Sequence, residues 1–241
     1  MSAFTAKRAL IMAAGIGKRM RPLTLSTPKP LIEVNGIRMI DTIIDGLLAN
    51  GVEDINIVTG YLAERFEVLS ANYPMIRFVN NPDYDKCNNI SSLYYSRDLL
   101  DTDVIITDAD QIVRNREILT PEFERSGYNA IKVTSHTDEW VMNVNDGIVT
   151  ACSRNGGDKG WQLYSVSRWC KEDALKLKEY VELEYEKKKN IDVYWDDIPM
   201  FIYADRFSLG IREMKKGDVL EIDSLEELKE IDSSYSNIEG V

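Results

Sequence analysis

A chain of 241 residues, 44% of them hydrophobic, with a formal charge of −11 is long enough to fold as an α/β domain with a full core. That acidity disfavours nucleic acid as a main partner. Three cysteines, Cys87, Cys152 and Cys170, lack the spacing of a zinc site or a disulfide framework, and the expected location is cytoplasmic. The first apolar run is too short for a signal peptide or a membrane span, so no membrane insertion is expected.

In chain order, "RALIMA" (8–13) is a short apolar run that reads as a buried strand. "MIDTIIDGLLAN" repeats its apolar residues at spacings of three and four before Gly51, the pattern of an amphipathic helix with a glycine stop. "DINIVTG" predicts a second strand, "LAERFEVLSAN" a second helix and "IRFVNNP" a third strand. "ISSLYYSRDLL" then predicts a helix and "DVIITDAD" a fourth strand. Such β-α-β-α alternation implies a parallel sheet covered on both faces. After about residue 127 the pattern changes. "NAIKVTSHT", "EWVMNVNDGIVTACS" and "GWQLYSVSRW" read as strands, with Asp146-Gly147 as a hairpin turn. A charged helix is expected at 171–189, a strand around "MFIYAD", and a closing strand and helix in "DVLEIDSLEELKEI" with Ser224 as N-cap. The fold class is α/β: one domain with a Rossmann-like, mixed but mostly parallel sheet flanked by helices.

Charge is uneven along the chain. Up to residue 40, Lys7, Arg8, Lys18, Arg19, Arg21, Lys29 and Arg38 face only Glu33. A local cationic cluster on an acidic body suits a small, highly charged anion. The cations surround Gly15 and Gly17 after the first strand, where glycine lets a backbone approach phosphates. Neither familiar phosphate loop fits. GxxxxGK[ST] is absent, and the third glycine of a dinucleotide fingerprint is replaced by Met20, with Thr59-Gly60 where an acid should end the second strand.

The full stretch "AAGIGKRMRPLTLSTPKPLIEVNG" (13–36) resembles the signature of the nucleotidyltransferases that make nucleoside-diphosphate sugars and related compounds. The resemblance implies that Ala13, Ala14, Gly15 and Gly17 bind the nucleotide. It implies that Arg19 holds the β- and γ-phosphates and Lys29 the α-phosphate or the incoming acceptor. Cations there would stabilise the charge that builds on the α-phosphate and on departing pyrophosphate. Lys18 and Arg21 read as solvated surface. Residues of about 1–127 would be the nucleotide-binding half and about 128–241 the acceptor-binding half.

A triphosphate arrives with Mg²⁺, which takes one or two carboxylates plus water and phosphate oxygens. Asp108 and Asp110 lie at the end of the fourth strand, where open α/β sheets bind ligands. By resemblance Asp110 and Asp223 are the metal ligands, with Asp108 beside the nucleotide and Glu221 as neighbour to Asp223.

The glycine-rich base-reading segment of sugar enzymes is replaced by "YDKCNNISSLYYSRDLL". This and "DAD", "EW", "IDVYWDD" and "EIDS" are similar to the bacterial CTP:phosphocholine cytidylyltransferases. Asn89 and Ser92 would then lie near cytosine, although Asn88 and Asn89 read equally well as helix N-caps. Phosphocholine, the acceptor that the resemblance implies, carries a quaternary ammonium suited to aromatic faces and a carboxylate. Trp140, Tyr194, Asp196 and Glu139 are the candidates. On an extended segment Tyr194 and Asp196 would share a side. Trp161 and Trp169 are assigned to the core. A phosphate nucleophile is already anionic, so a lone histidine, His136, raises no difficulty. The expected substrates are therefore CTP and phosphocholine, with a primary-amine acceptor such as phosphoethanolamine or 2-aminoethylphosphonate as the nearest alternative. Homo-oligomer formation is left open.

Overall fold

The computed structural model describes residues 4–240. Its main strands are β1 (Arg8–Ala13), β2 (Asp54–Thr59), β3 (Arg77–Asn80), β4 (Val104–Asp108), β5 (Gln111–Val113), β6 (Gly127–Lys132), β7 (Val141–Asn145), β8 (Ile148–Ser153), β9 (Trp161–Trp169), β10 (Gly210–Glu213) and β11 (Val219–Glu221). Its α-helices are α1 (Met39–Ala49), α2 (Ile90–Ser96), α3 (Lys171–Glu182) and α4 (Leu225–Ile231). One sheet of nine strands runs β6-β10-β8-β7-β9-β4-β1-β2-β3, and β6 also pairs with β9. The first half of the chain supplies the parallel run β4-β1-β2-β3, and β9 joins it antiparallel through β4.

Side-chain alternation along β1 explains the layers. Ala9, Ile11 and Ala13 point to one face, where they pack with Ile40, Ile43, Ile44 and Leu47 of α1. Leu10 and Met12 point to the other, with Ile90 and Leu93 of α2 and Ala174, Leu177 and Val181 of α3. Both faces are thus covered, as the unbroken apolar strands require. A third cluster joins Met20 and Ile32, which flank the glycine loop, to Ile222, Leu225 and Leu228. This cluster brings the end of the chain back to its beginning. Among the described residues no helix is long and apolar enough to cross a membrane.

The expected turn at Asp146-Gly147 has both residues at positive φ, 48° and 76°, and joins β7 to β8. Ser224 forms a reciprocal capping box with Glu227 at the start of α4. Three expectations are corrected. Ala63–Ala71 winds as 3₁₀ turns, because its buried residues, Phe66 and Leu69, repeat at three. The charged helix from 171 is α-helical to Glu182 and continues as a π turn over Leu183–Lys187. "MFIYAD" forms no strand. Ile198–Ile202 is a π turn with Pro199 near its start, a residue that has no N–H to give a sheet ladder. The strand forms later, as β10.

Candidate active site

The strand order reverses at β1, so the ends of β1 and β4 leave a crevice between their loops. A cleft of about 660 Å³ opens there. Its nearest wall is the glycine loop, which is followed by three 3₁₀ turns at Lys18–Met20, Leu23–Leu25 and Lys29–Leu31 rather than by an α-helix. Any N–H groups offered to an anion here would therefore come from the loop itself, not from the start of an α-helix. Gly17 has φ 65°, and a Cβ on it would lie 3.1 Å from both Lys29 Cβ and Thr24 Cγ2. Thr24 Oγ1 donates to the Gly17 carbonyl at 2.9 Å, and the Tyr61 hydroxyl donates to the Thr24 carbonyl at 2.8 Å. At Gly15 the space is open: a Cβ there would meet nothing within 4 Å.

Lys29 lies at 6% exposure in its 3₁₀ turn, and its Nζ donates to Asp110 Oδ2 at 2.7 Å and to Asp223 Oδ1 at 2.8 Å. Arg19, largely in solvent, reaches the same Asp223 oxygen at 3.2 Å. Burial alone would lower the Lys29 pKa, but Asp110 and Asp223 outweigh it and raise it. At Asp223 burial works against ionisation, and hydrogen bonding and charge from Lys29, then Arg19, bring the carboxyl below its ordinary range. The loop cations and the acids that follow β4 and β11 therefore meet at one point.

Uncompensated acid gathers beside that point. Glu221 ends β11, and although it touches solvent, the protein around it and then Asp110, Glu139 and Asp223 push its pKa up to about 8. Burial, then Asp110 and Asp196, raise Asp108 well above its usual value, against a hydrogen bond from Ser165. Among the described residues no three His, Cys, Asp or Glu side chains form a metal site by themselves. Mg²⁺ needs only one or two carboxylates when phosphate oxygens and water complete its shell. Asp110 and Asp223, converging on a single Nζ in an acid-rich setting, fit that demand.

Twelve of the residues singled out from sequence line the cleft: Ala13, Ala14, Gly15 and Gly17, then Arg19 and Lys29, Asn89 and Ser92, Asp108 and Asp110, and Tyr194 and Asp223. Lys18 lines it too, against its reading as solvated surface, as do Tyr84 and Asn88. Tyr84 opens the "YDKCNNISSLYYSRDLL" segment without having been singled out within it; it is placed by packing over Gly60, where a Cβ would approach its own at 2.6 Å. A side recess of about 180 Å³ lies against Ala14, Asn81, Tyr84 and Ser92.

Asn88 and Asn89 are not side-chain caps. Asn89 Oδ1 accepts from Trp195 N at 2.8 Å, and Asn88 Nδ2 donates to the Asp192 carbonyl at 3.1 Å. They fasten the 191–195 loop of the second half to the start of α2. Trp140, Glu139 and Asp196 do not line the cleft. Residues 194–197 make a turn, with Asp197 N bonded to the Tyr194 carbonyl at 3.1 Å, so the extended-strand argument for Tyr194 and Asp196 sharing a side fails. Asp196 instead accepts from the Tyr128 hydroxyl at 2.8 Å. Trp140 stands behind Tyr194, edge-on at 6.0 Å, and Arg154 lies 5.6 Å from its ring centre and 3.7 Å from that of Phe201. Trp169 is core as expected, while Trp161 is only partly buried.

The model of the nucleotidyl transferase family matches residues 8–133. The 2-aminoethylphosphonate cytidylyltransferase of Lancefieldella rimae is 37% identical over 94% of this chain and 92% of its own. The choline-phosphate cytidylyltransferase of Streptococcus pneumoniae is 29% identical over 95% and 99%. The solved structure of the CTP:phosphocholine cytidylyltransferase from Streptococcus pneumoniae superposes with a TM-score of 0.86 at 30% identity, covering 94% of this chain and 98% of that one. With the signature stretch forming one wall of the cleft, the chain belongs to the nucleotidyl transferase family and is a nucleotidyltransferase.

Proposed function

We propose that this enzyme transfers a cytidylyl group from CTP to a small aminoalkyl phosphonate or phosphate, 2-aminoethylphosphonate foremost, and releases pyrophosphate. The observation that carries the reading is the cleft's two poles. Lys29 and Arg19 form one; Asp108, which lines the cleft, and Glu221, which lies close to the cleft's Asp110 and Asp223 without lining it, form the other. An acceptor anion attacks the α-phosphorus, forming a new P–O bond. The bond from the α-phosphorus to the bridging oxygen breaks, and pyrophosphate leaves with that electron pair. Lys29 neutralises charge at the reacting phosphate and Arg19 at the departing one. The open backbone at Gly15 and Gly17 admits the phosphates, and the recess beside Tyr84, Asn89 and Ser92 is the place for cytosine. Asp110 and Asp223 would hold Mg²⁺, which when bound spreads the phosphate charge.

The second pole favours a primary amine. Such a group donates hydrogen bonds and suits carboxylates, whereas a quaternary ammonium suits ring faces. Apart from Tyr84 at the recess, Tyr194 alone among the described residues offers the cleft an aromatic ring, the Trp140 ring lying near Arg154 instead. The similarity to the Lancefieldella enzyme points the same way. Phosphocholine is the second reading, supported by the 47% exposure of Tyr194 and the likeness to the pneumococcal enzyme. Steady-state pyrophosphate release with CTP decides between them. The expected order of kcat/KM is 2-aminoethylphosphonate, phosphoethanolamine, then phosphocholine, and the reverse order would overturn the primary-amine assignment.

A further inference from the structure

A second cavity, of about 630 Å³, opens away from the cleft and is lined by Arg125, Arg168 and Arg212. Its position follows from register. Arg168 pairs with Ile105 near the start of β4, whereas the cleft lies beyond Asp108 at the end of the same strand. The two openings are therefore at opposite ends of the sheet.

The three guanidiniums have neutral partners. Arg168, at 2% exposure, donates to the Thr120 carbonyl at 2.7 Å, to Asn129 Oδ1 at 2.7 Å and to the Ile118 carbonyl at 2.6 Å. Arg212 donates to the Glu122 carbonyl at 3.1 Å and to the Thr120 hydroxyl at 2.5 Å, and Arg125 to Ser208 Oγ at 2.7 Å. Arg168 is buried with no carboxylate hydrogen-bonded to it, and an anion would offset the cost of that burial. Burial, then Arg212, lowers its pKa to about 9, against the more distant charge of Glu122. In a chain with an excess of eleven negative charges, three arginines on one cavity without a hydrogen-bonded carboxylate are conspicuous. The guanidinium fork matches the oxygens of phosphate or phosphonate. Glu122, Glu124 and Asp146 also line the cavity and are exposed at its mouth. They oppose a polyanion such as a triphosphate or a nucleic acid, leaving a small ligand with a single anionic head.

We propose that this cavity is a second, non-catalytic binding site for a small phosphate- or phosphonate-headed metabolite, gripped by Arg125 and Arg212 with Arg168 behind them. The site is independent of which acceptor the cleft takes. The test is a ¹H–¹⁵N NMR titration of the full chain with inorganic phosphate and, separately, methylphosphonate. Saturable shifts are expected at the Gly127, Gly147 and Gly210 amides, distinct from any at Gly15 and Gly17 in the cleft. In the doubly substituted Arg125→Gln, Arg212→Gln chain the first set should weaken at least tenfold in affinity, with the cleft response unchanged. Arg125→Gln alone, at an exposed position, gives the same test with the least risk to the fold. Shifts confined to the cleft amides, or shifts at Gly147 and Gly210 that survive these substitutions, would overturn the proposal.

Discussion

The Lys29 ammonium sits 2.7 Å from Asp110 and 2.8 Å from Asp223, tying the third 3₁₀ turn after the glycine loop to residues just past the ends of two distant strands. Each side chain has a role only in company. Without the acids the nearly buried lysine would be an unpaired charge, and without the lysine the carboxylates would repel one another.

Asp110→Ala should lower pyrophosphate release at least about 10³-fold, since both the proposed metal contact and the orientation of Lys29 are lost. Asp110 is partly exposed and Asp223 still pairs with Lys29, so the chain should stay folded. Circular dichroism melting alongside the rate assay checks this. Turnover retained in a folded variant would remove Asp110 from the metal site.

Tyr194→Ala tests the acceptor pole. Its ring is 47% exposed and lines the cleft with Lys29, so little core packing depends on it. The expected result is a KM for the acceptor raised about fivefold with the KM for CTP nearly unchanged, the loss matching a single exposed ring–cation contact of about 1 kcal/mol. Equal effects on both substrates would mean that Tyr194 shapes the cleft without selecting the acceptor.

Gly17→Ala and Gly15→Ala should behave differently. At Gly17 a side chain must adopt φ 65° and press on Lys29 and Thr24, which should cost about 1–2 kcal/mol and lower Tm by a few degrees. At Gly15 there is open space, so Tm should hold while the KM for CTP rises. Thermal melts of both variants read the contrast directly; matching losses of Tm would contradict it.

Burial, then the neighbouring Asp197, raises the Asp196 pKa to about 7, against a hydrogen bond from Tyr128. The folded chain thus binds this proton more tightly than the unfolded one, and its contribution to stability falls as pH rises from about 4 to about 7. Asparagine keeps an acceptor for Tyr128 and does not titrate. The Tm of Asp196→Asn should therefore gain on that of the natural chain between pH 5 and pH 8. A difference independent of pH would show that Asp196 is not held protonated by its surroundings.

The sheet was legible because strands such as 8–13 and 104–108 are short apolar runs closed by glycine or acid, a pattern set by burial on both faces. The cationic wall of the cleft was legible for a related reason: glycines, prolines and cations are fixed within one stretch, so their spacing carries the geometry. The wall around Tyr194 was not. Residues 191–197 look extended in sequence, yet their path is fixed by Asn88 and Asn89, about a hundred residues away, which bond to Asp192 and Trp195. Tyr84 and Lys18 lie in stretches that the sequence marks, yet nothing in residue type or spacing says that their side chains face the cleft. Likewise the apolar "MFI" reads as a strand until the turn at 194–197 commits it to helical winding.

The claim that one cleft joins a triphosphate to an aminoalkyl acceptor is tested most directly by pyrophosphate release in a crossed panel. Four nucleoside triphosphates are each paired with 2-aminoethylphosphonate, phosphoethanolamine, phosphocholine and glucose 1-phosphate. The account predicts release with CTP and the amine-bearing acceptors, highest with 2-aminoethylphosphonate and at background with glucose 1-phosphate. Preference for the sugar phosphate, or no acceptor-dependent release from CTP, would contradict it.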